Sequence, residues 1–592
     1  MTYFIYQGGR RMKKRLCNLG LALAITGSLL TGCGGSPEQI GSGAEGSEGA
    51  IESSVLENEE ESGGAVEGVE GNYTAAGKFP IVNDKVSLKV FYAPYAFVTD
   101  MEDNYATQWL EEKTNIHIDW MISGEQDAAE KINLLLGAGD AEGLPDVFYT
   151  GWISRQQVEY YGGEGTFLPL NDLIDQYAVN FKELFQEHPE LEKKLMAPDG
   201  NIYFLPRYYE TLHVRFPQKC WMNRRWLENV DMEVPVTTEE FYNVLKAFKE
   251  QDANGDGNPN NEIPFLCYFG TNGIQDFVMN AFVYSPSTAE RFYLDENGTI
   301  VASYAQEGWR EGLKYQKMLY DEGLLDNECL TMTEELSKPL FANESGSLVG
   351  CVEDWWPGFM DFSSQEAYDY VAIAPLEGPD GTRQAPEAQF NPTPMFMITS
   401  KCEDPIAAIR WADAQAIDIA QAVRDGDYEW MNLWYGKEDA ENSWRKAEEG
   451  ECGFTGEPAY YKTTFSYDGK SNAHWYENFL IHMGAEWKSM DVYEDDGSYN
   501  LEKVLYENTE ENYLPYSVAK TVTNLSLTSE ENEEFSELRT NLDTYYKECV
   551  VKFMTGAMDL DADWDGYLNE LENIGLSRAI EIYQTAYDRV FN

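Results

Sequence analysis

The sequence predicts an α/β fold, built on doubly wound, mostly parallel sheet and large enough to divide into two lobes or more. Two observations carry this. Between residues 86 and 149, short alternating apolar runs are separated by stretches of helical period, the pattern of β–α–β–α–β units with parallel strands. The chain also has 592 residues, and the part beyond about residue 80 exceeds what one hydrophobic core serves.

The elements run in order along the chain. Val86–Tyr92 alternates and reads as a first strand. Asn104–Lys113 has helical period and stops near Asn115. Ile116–Trp120 is a second strand, Asp127–Leu136 a second helix and Leu144–Tyr149 a third strand. Ligands on such sheets bind beyond the C-terminal ends of the strands, here loops 93–99, 123–127 and 150–154. Pro198-Asp199-Gly200 is a turn signal, and Asn201–Leu205 reads as a strand hairpin. A new strand starts at Cys220. Thr237–Lys249 reads as an amphipathic helix capped by Thr237 or Thr238, with Glu240 closing a capping box if Thr237 is the cap. Ser347–Val352 reads as a strand. From about residue 400 the pattern is mostly helical, most clearly over Asp404–Ala416 and Glu534–Thr555. There is no internal repeat.

Charge narrows the partners. With 103 acidic and 43 basic residues the net charge is −60, which repels nucleic acid and anionic headgroups alike. Nucleic acid is therefore excluded as the main partner, and membrane contact requires an anchor. Seven cysteines, Cys220, Cys267, Cys329, Cys351, Cys402, Cys452 and Cys549, are scattered through the body with no CxxC pair. They read as buried free thiols, not a disulfide framework or a zinc site.

The N-terminus supplies the anchor. A basic cluster, Arg10, Arg11, Lys13, Lys14 and Arg15, precedes the apolar run Leu19–Leu30, which is too short to span a bilayer comfortably. Leu30-Thr31-Gly32-Cys33 then resembles the lipobox of bacterial lipoproteins. That resemblance implies cleavage before Cys33 and lipid on its sulfur. Residues 1–32 are expected to be the signal peptide. Residues 33–80 are expected to be an extended tether: ten glutamates fall between Glu38 and Glu70 with no Lys or Arg among them, and one-sign charge with low hydrophobicity resists folding.

Several strings in the body, Leu144-Pro-Asp-Val-Phe148, Phe167-Leu-Pro-Leu-Asn-Asp-Leu-Ile174, Asp199-Gly-Asn-Ile-Tyr-Phe-Leu-Pro206, Trp221-Met-Asn-Arg-Arg-Trp-Leu227 and Phe396-Met-Ile-Thr-Ser-Lys401 followed by Pro405-Ile-Ala-Ala-Ile-Arg-Trp411, together resemble family 1 extracellular solute-binding proteins. The likeness is to the large Gram-positive lipoprotein branch, related to oligosaccharide-binding members. It implies the two-lobe, type II periplasmic-binding-protein fold, with hinge segments joining the lobes and the solute closed between them. Residues 81–592 would form the solute-binding body. Lobe 1 would take about 81–206 plus a segment from about 390, and lobe 2 about 212–375 plus the C-terminal helices. Pro206–Leu212 would be one hinge crossing, and a second would lie between Pro375 and Pro394, where the Gly/Pro-rich stretch Glu377–Pro394 suits the role. The implied partners are a small solute or oligosaccharide, the membrane permeases of an ABC importer, and the membrane itself through Cys33. The chain is expected to act as a monomer on the extracytoplasmic face.

One motif points to a metal. Asp252, Asn254, Asp256 and Asn258 recur at alternate positions, Gly257 permits a sharp turn, and Asn260, Asn261 or Glu262 closes the loop. Calcium takes six to eight oxygen ligands, and an EF-hand-type loop supplies them at this period. The loop departs from that pattern by placing Glu262 at position 11. The alternative is an Asx-turn loop that needs no ion. If calcium binds, its role is structural.

Aromatic residues on loops point to a carbohydrate. Trp152, Tyr208, Tyr209, Trp355 and Trp356, with Tyr95 as a weaker member, fall on expected C-terminal loops or at the hinge. Arg207, Glu210 and Asp354 flank them to meet hydroxyls. Sugar C–H faces stack on such rings; core packing is the competing role for each ring singly. Of the adjacent pair, Trp356 is read as the platform and Trp355 as the candidate for the core side. HExxH, GxSxG, GxxxxGK[ST] and strand-linked GxGxxG are all absent from the sequence, so a binding protein is expected in preference to an enzyme. The competing readings are a peptide- or other solute-binding lipoprotein, a non-transport receptor or adhesin, and a surface glycoside hydrolase with its acid pair hidden among the many carboxylates.

Overall fold

The computed structural model describes residues 71–592 apart from 95–97, 99, 139–142, 269–275, 344–345, 389–391, 465–481, 484–485 and 592. Cys33 and Tyr95 lie outside the described residues. The described chain belongs to a single compact unit organised around two sheets.

The first sheet runs in the order Ile116–Ile122, Val86–Tyr92, Val147–Tyr149, Pro394–Ile398, Leu205–Pro206. Its first three strands are parallel, with Val90 opposite both Trp120 and Val147. Pro394–Ile398 runs antiparallel to both of its neighbours. Asn104 caps the helix Tyr105–Thr114 by accepting from Thr107 N, which returns the chain for a parallel crossover. The third strand begins at Val147, later than the alternation suggests, because Pro145 has no N–H to give the ladder and the Asp146 carboxylate is spent on Lys89 N at 2.7 Å.

The expected hairpin at Asn201–Leu205 is not formed. The turn itself is present, with Gly200 in the left-handed region at φ +84° and Ala197 N donating to Asn201 O at 2.8 Å. Beyond the turn the chain is extended and buried along its length: Ile202, Tyr203, Phe204 and Leu205 are all in the core. Only Leu205–Pro206 joins the sheet. A run buried on both sides has no polar face to offer a partner strand at the surface.

The second sheet runs in the order Tyr370–Ile373, Cys220–Asn223, Val349–Glu353, Ile263–Leu266. Cys220–Asn223 is antiparallel to both neighbours, while Val349–Glu353 and Ile263–Leu266 are parallel. The helix Thr238–Glu250 packs beside Ile263–Leu266. Thr237 is its cap, with the reciprocal Glu240 bond in place. A second capping box, Thr528 with Glu531, starts the long helix at Ser529 and carries it to Met554. The region beyond residue 400 is less helical than its periodicity suggests, since Trp444–Lys446 and Tyr461–Thr463 pair as strands.

Each sheet has its own hydrophobic core. One core draws on Ile81–Tyr208 and on Phe396–Met490. The other draws on Phe216–Ala385 and on Leu505–Ala586. The chain therefore passes between the cores three times, the third passage following Met490. Contacts tie the first two passages to each other and to the second core. Ala385–Pro386 pairs in parallel with Ser517–Val518. Glu387 accepts from Arg215 Nε at 2.9 Å and from Ser517 Oγ at 2.7 Å. Trp221, Trp226, Trp309, Trp411, Trp434 and Trp444 are fully buried in these cores, so much of the aromatic content serves packing.

Candidate functional site

Three groups of expected site residues emerge, at different places in the fold.

The first is the loop after Val349–Glu353. Asp354 N donates to Lys219 O at 3.0 Å, and the Asp354 carboxylate accepts from the backbone N–H groups of Trp355 and Trp356. Asp354 is 4% exposed, and burial pushes its carboxyl well above the usual range. It therefore shapes the loop from inside, and its Oδ2 is buried without a hydrogen-bond partner. Trp355 and Trp356 stack at 5.2 Å with their planes 27° apart. Both rings are half-buried, and the one on the core side is Trp356, not Trp355 as expected. Trp356 packs on the second core, edge-on to Phe362 at 6.0 Å, and covers Gly358 so closely that a Cβ there would lie 2.2 Å from its ring. Trp355 is half-buried and is not among the residues packed on that core. One of its faces meets Trp356; the outer ring of the pair is thus Trp355.

The second group lies on the first passage between the cores. Tyr208 is buried and rests on the His188 ring at 4.9 Å. Burial, then the charges of Glu210 and Glu190, push its phenol above the ordinary value. Glu210 accepts from Tyr208 Oη at 3.4 Å and stands 3.1 Å from His188 Nε2. Tyr208–Tyr209 pairs in parallel with His482–Met483. Arg207 is half-buried. Nearby, Lys219 is wholly buried, and its ammonium donates to His213 O at 2.9 Å and to Phe216 O. Burial lowers it to about 7. His188 and Lys219 were not singled out in the sequence: neither lies in a motif, and each acquires its setting only from the passage folding back on it.

Trp152 stands apart on the first sheet, in the loop between Val147–Tyr149 and the helix Arg155–Gly163. It is 38% exposed, and among the described residues no other ring pairs with it. Its loop is rigid at both ends, since Trp152 N donates to Thr150 Oγ1 at 3.2 Å and Ser154 caps the helix with Gln157 closing the box.

The third group is the Asp252 loop. Gly255 and Gly257 adopt φ +76° and +87°, left-handed values that admit the tight winding. Asp256 N donates to Asn254 Oδ1 at 3.0 Å, Gly257 N to Asp252 Oδ2 at 2.9 Å and Asn258 N to Asp256 Oδ1 at 2.8 Å, so the loop wraps around its own oxygens. Asn258 and Asn260 are exposed and their side chains do not join the cluster as expected. Asn261 does: its amide donates to Asp256 Oδ2 at 2.7 Å. A tight turn, Asn260 N to Asn258 O at 2.8 Å, carries Asn260 outward.

This loop fits a cation. Asp252 Oδ1, Asn261 Oδ1 and both oxygens of Glu262 are buried without a hydrogen-bond partner, a costly arrangement that an oxygen-seeking ion relieves. Burial, and then the like charges of Asp252 and Asp256, raise the Glu262 carboxyl above its ordinary value. Among the described residues no three His, Cys, Asp or Glu side chains are already drawn to metal-binding separation. In this loop part of the donor set is amide, and its three carboxylates carry like charge.

The comparisons agree with the fold. The sequence profile of the bacterial extracellular solute-binding proteins matches residues 98–416, more than half of the chain, and this protein belongs to that family. It is similar to the fructooligosaccharide ABC transporter substrate-binding protein FusA of Streptococcus pneumoniae, with 27% identity over 83% of this chain and 88% of FusA. The structure of a FusA EF-hand mutant in complex with fructo-nystose matches 85% of this chain and 99% of its own, at 24% identity and TM-score 0.65. A solute-binding protein of Bifidobacterium longum infantis, described as binding HMO and associated with an ABC transporter, matches 85% of this chain and 99% of its own, at 20% identity and TM-score 0.68. The type II, two-lobe binding-protein architecture follows from these likenesses.

Proposed function

We propose that this protein is a lipid-anchored, extracytoplasmic, monomeric binding protein that captures an oligosaccharide and delivers it to an ABC importer, without chemical turnover. The observation that carries this reading is the near full-length similarity to FusA. It is supported by Trp355, the outer ring of a rigid pair at the end of a buried strand. Stacking rewards the apolar faces of sugar rings. Two lobes joined by three passages can close on a solute that touches both, shifting the open–closed balance toward closed. Arg207, Glu210, Tyr208, Tyr209 and Trp152 border the passage and the first sheet, and Tyr95 belongs to the same set.

Calorimetric titration with nystose, other oligosaccharides and peptides tests the reading. Saturable sugar binding without release of reducing ends is expected. Tight peptide binding with no sugar binding sinks the carbohydrate assignment, and turnover sinks the non-enzymatic one.

The Asp252 loop is read as a structural calcium site held by Asp252, Asn254, Asp256, Asn261 and Glu262. The ion would cancel carboxylate repulsion and fix the loop to the helix Arg224–Asn229, where Asn229 Nδ2 already donates to Ala253 O at 2.8 Å. Cys33 is read as the lipid attachment point. Cys33→Ser should move the protein from the membrane fraction into solution; full retention on membranes would overturn the anchor.

A further inference from the structure

Arg155 and Glu159 lie one turn apart on the helix Arg155–Gly163 of the first lobe and form an ion pair at 2.6 Å. A pair at i and i+4 on a surface helix is ordinarily wet. Here the two side chains are only 9% and 10% exposed. What covers them belongs to the second lobe. Residues 521–526 and the end of the last helix, Leu576–Phe591, lie over the pair and enclose a cavity of about 30 Å³, lined among others by Arg155, Met196, Asn524, Tyr587 and Phe591.

The contact is built from both sides. On the first lobe, Arg155 Nη1 donates to Lys194 O at 2.5 Å and Nη2 to Met196 O at 3.1 Å. On the second, the left-handed Asn524 at φ +53° turns the chain outward, so that its carbonyl reaches Arg155 Nη1 at 3.5 Å. Ser526 Oγ donates to Glu159 Oε1 at 2.8 Å, the same oxygen that Arg155 Nε meets. Ser526 is itself held by Arg589, whose Nη1 donates to Ser526 O at 3.0 Å, while Glu531 pairs with the same guanidinium. A buried ion pair is tolerated only when its hydrogen-bonding capacity is filled. Here carbonyls from both lobes meet the guanidinium and one hydroxyl meets the carboxylate. Opening the lobes at this edge breaks the Ser526 bond and wets the pair.

We infer that Arg155, Glu159 and Ser526 form a clasp between the lobes that sets how far the protein is closed before any solute arrives. They are positioning residues. The inference rests on reading the passages as a hinge, but not on the nature of the solute. A ligand's apparent affinity scales with the fraction of protein already in the competent state, so the clasp tunes capture without touching the ligand.

The test needs no ligand. Nitroxide labels are placed on Leu134→Cys and Leu336→Cys, exposed sites at 67% and 64% on opposite lobes, in the full chain carrying Cys452→Ser. Pulsed electron resonance then gives the interlobe distance in detergent without added sugar. Ser526→Ala and Glu159→Gln should each shift or broaden the distribution by more than about 2 Å, the scale of a genuine rearrangement. Ser526→Thr, which keeps the hydroxyl, should restore the original distribution. A melting curve confirms that each variant is folded, and Arg155→Lys serves if Glu159→Gln is not. Unchanged distributions in the folded variants overturn the clasp. Adding nystose afterwards tests the carbohydrate reading separately: no response in any variant counts against that reading and leaves the ligand-free result standing.

Discussion

The Asp252 loop and the Trp355 loop serve the same four-stranded sheet from opposite ends. The first leads into the N-terminal end of Ile263–Leu266; the second leaves the C-terminal end of its parallel neighbour, Val349–Glu353. One encloses oxygens that lack partners. The other holds an aromatic pair propped from within by Asp354. On the proposed reading, one sheet separates maintenance from recognition. An ion-dependent loop can brace the lobe at the far end, while the near end stays rigid without the ion and keeps one ring outward.

The largest effect expected is on stability. Trp356→Ala removes an aromatic packed on the second core and should cost about 3 kcal/mol in urea unfolding, with any loss of sugar affinity secondary to loosening of the loop. An affinity loss without a stability loss would return the platform role to Trp356. Next comes calcium. At a hundredfold excess over its Kd, an ion bound only to the native state stabilises by about 2.7 kcal/mol. Thermal melts with calcium and with chelator should separate accordingly, and Asp252→Ala or Asp256→Ala should abolish the separation. Asn260→Ala should leave the calcium response intact while Asn261→Ala weakens it, which tests the placement of the closing ligand.

Trp355→Ala should show the converse pattern to Trp356→Ala: sugar affinity lower by about 1–2 kcal/mol, unfolding nearly unchanged and the calcium response unaffected. If chelator alone abolished binding as strongly as Trp355→Ala, the two ends would not be separate.

A further effect lies outside this sheet and serves as a control on pH. Asp413 of the first lobe is buried, accepts from Phe181 N at 3.0 Å, and is raised by burial from 3.8 to about 7. A carboxyl raised on folding contributes stability that is complete below its unfolded value and is lost as pH rises through the folded value. Melting temperature should therefore fall between about pH 4 and about pH 7 by a component that Asp413→Asn removes. An identical pH slope in the variant would assign that component elsewhere.

What could be read from the sequence was local. The β–α–β alternation needs only neighbours in the chain, as does the Thr237–Glu240 capping box, and both are present. The Asp252 motif was legible as a period of two, but whether Asn260 or Asn261 turns inward depended on a turn between them. Trp355 and Trp356 could not be told apart, because adjacent residues face different ways and only the distant Phe362 and Gly358 decide which faces the core. The Glu159–Ser526 bond joins residues 367 positions apart, and no local pattern announces it. The hairpin expected at Asn201–Leu205 failed for a related reason: turn chemistry fixes the bend but not what the emerging chain meets.

The placement of Pro394–Ile398 has a consequence for biosynthesis. This strand is not at the edge of the first sheet; it separates Val147–Tyr149 from Leu205–Pro206. A chain emerging N-terminus first delivers three parallel strands early but must emit the entire second sheet before the one that closes the gap. Until then the first lobe carries an unfilled slot with open ladder groups on both sides, the kind of edge that recruits other chains. Contacts this distant in sequence form slowly. The nascent protein therefore passes through a stage in which its second sheet is fully delivered while its first cannot yet close, and protection of that slot during export becomes part of reaching the native state.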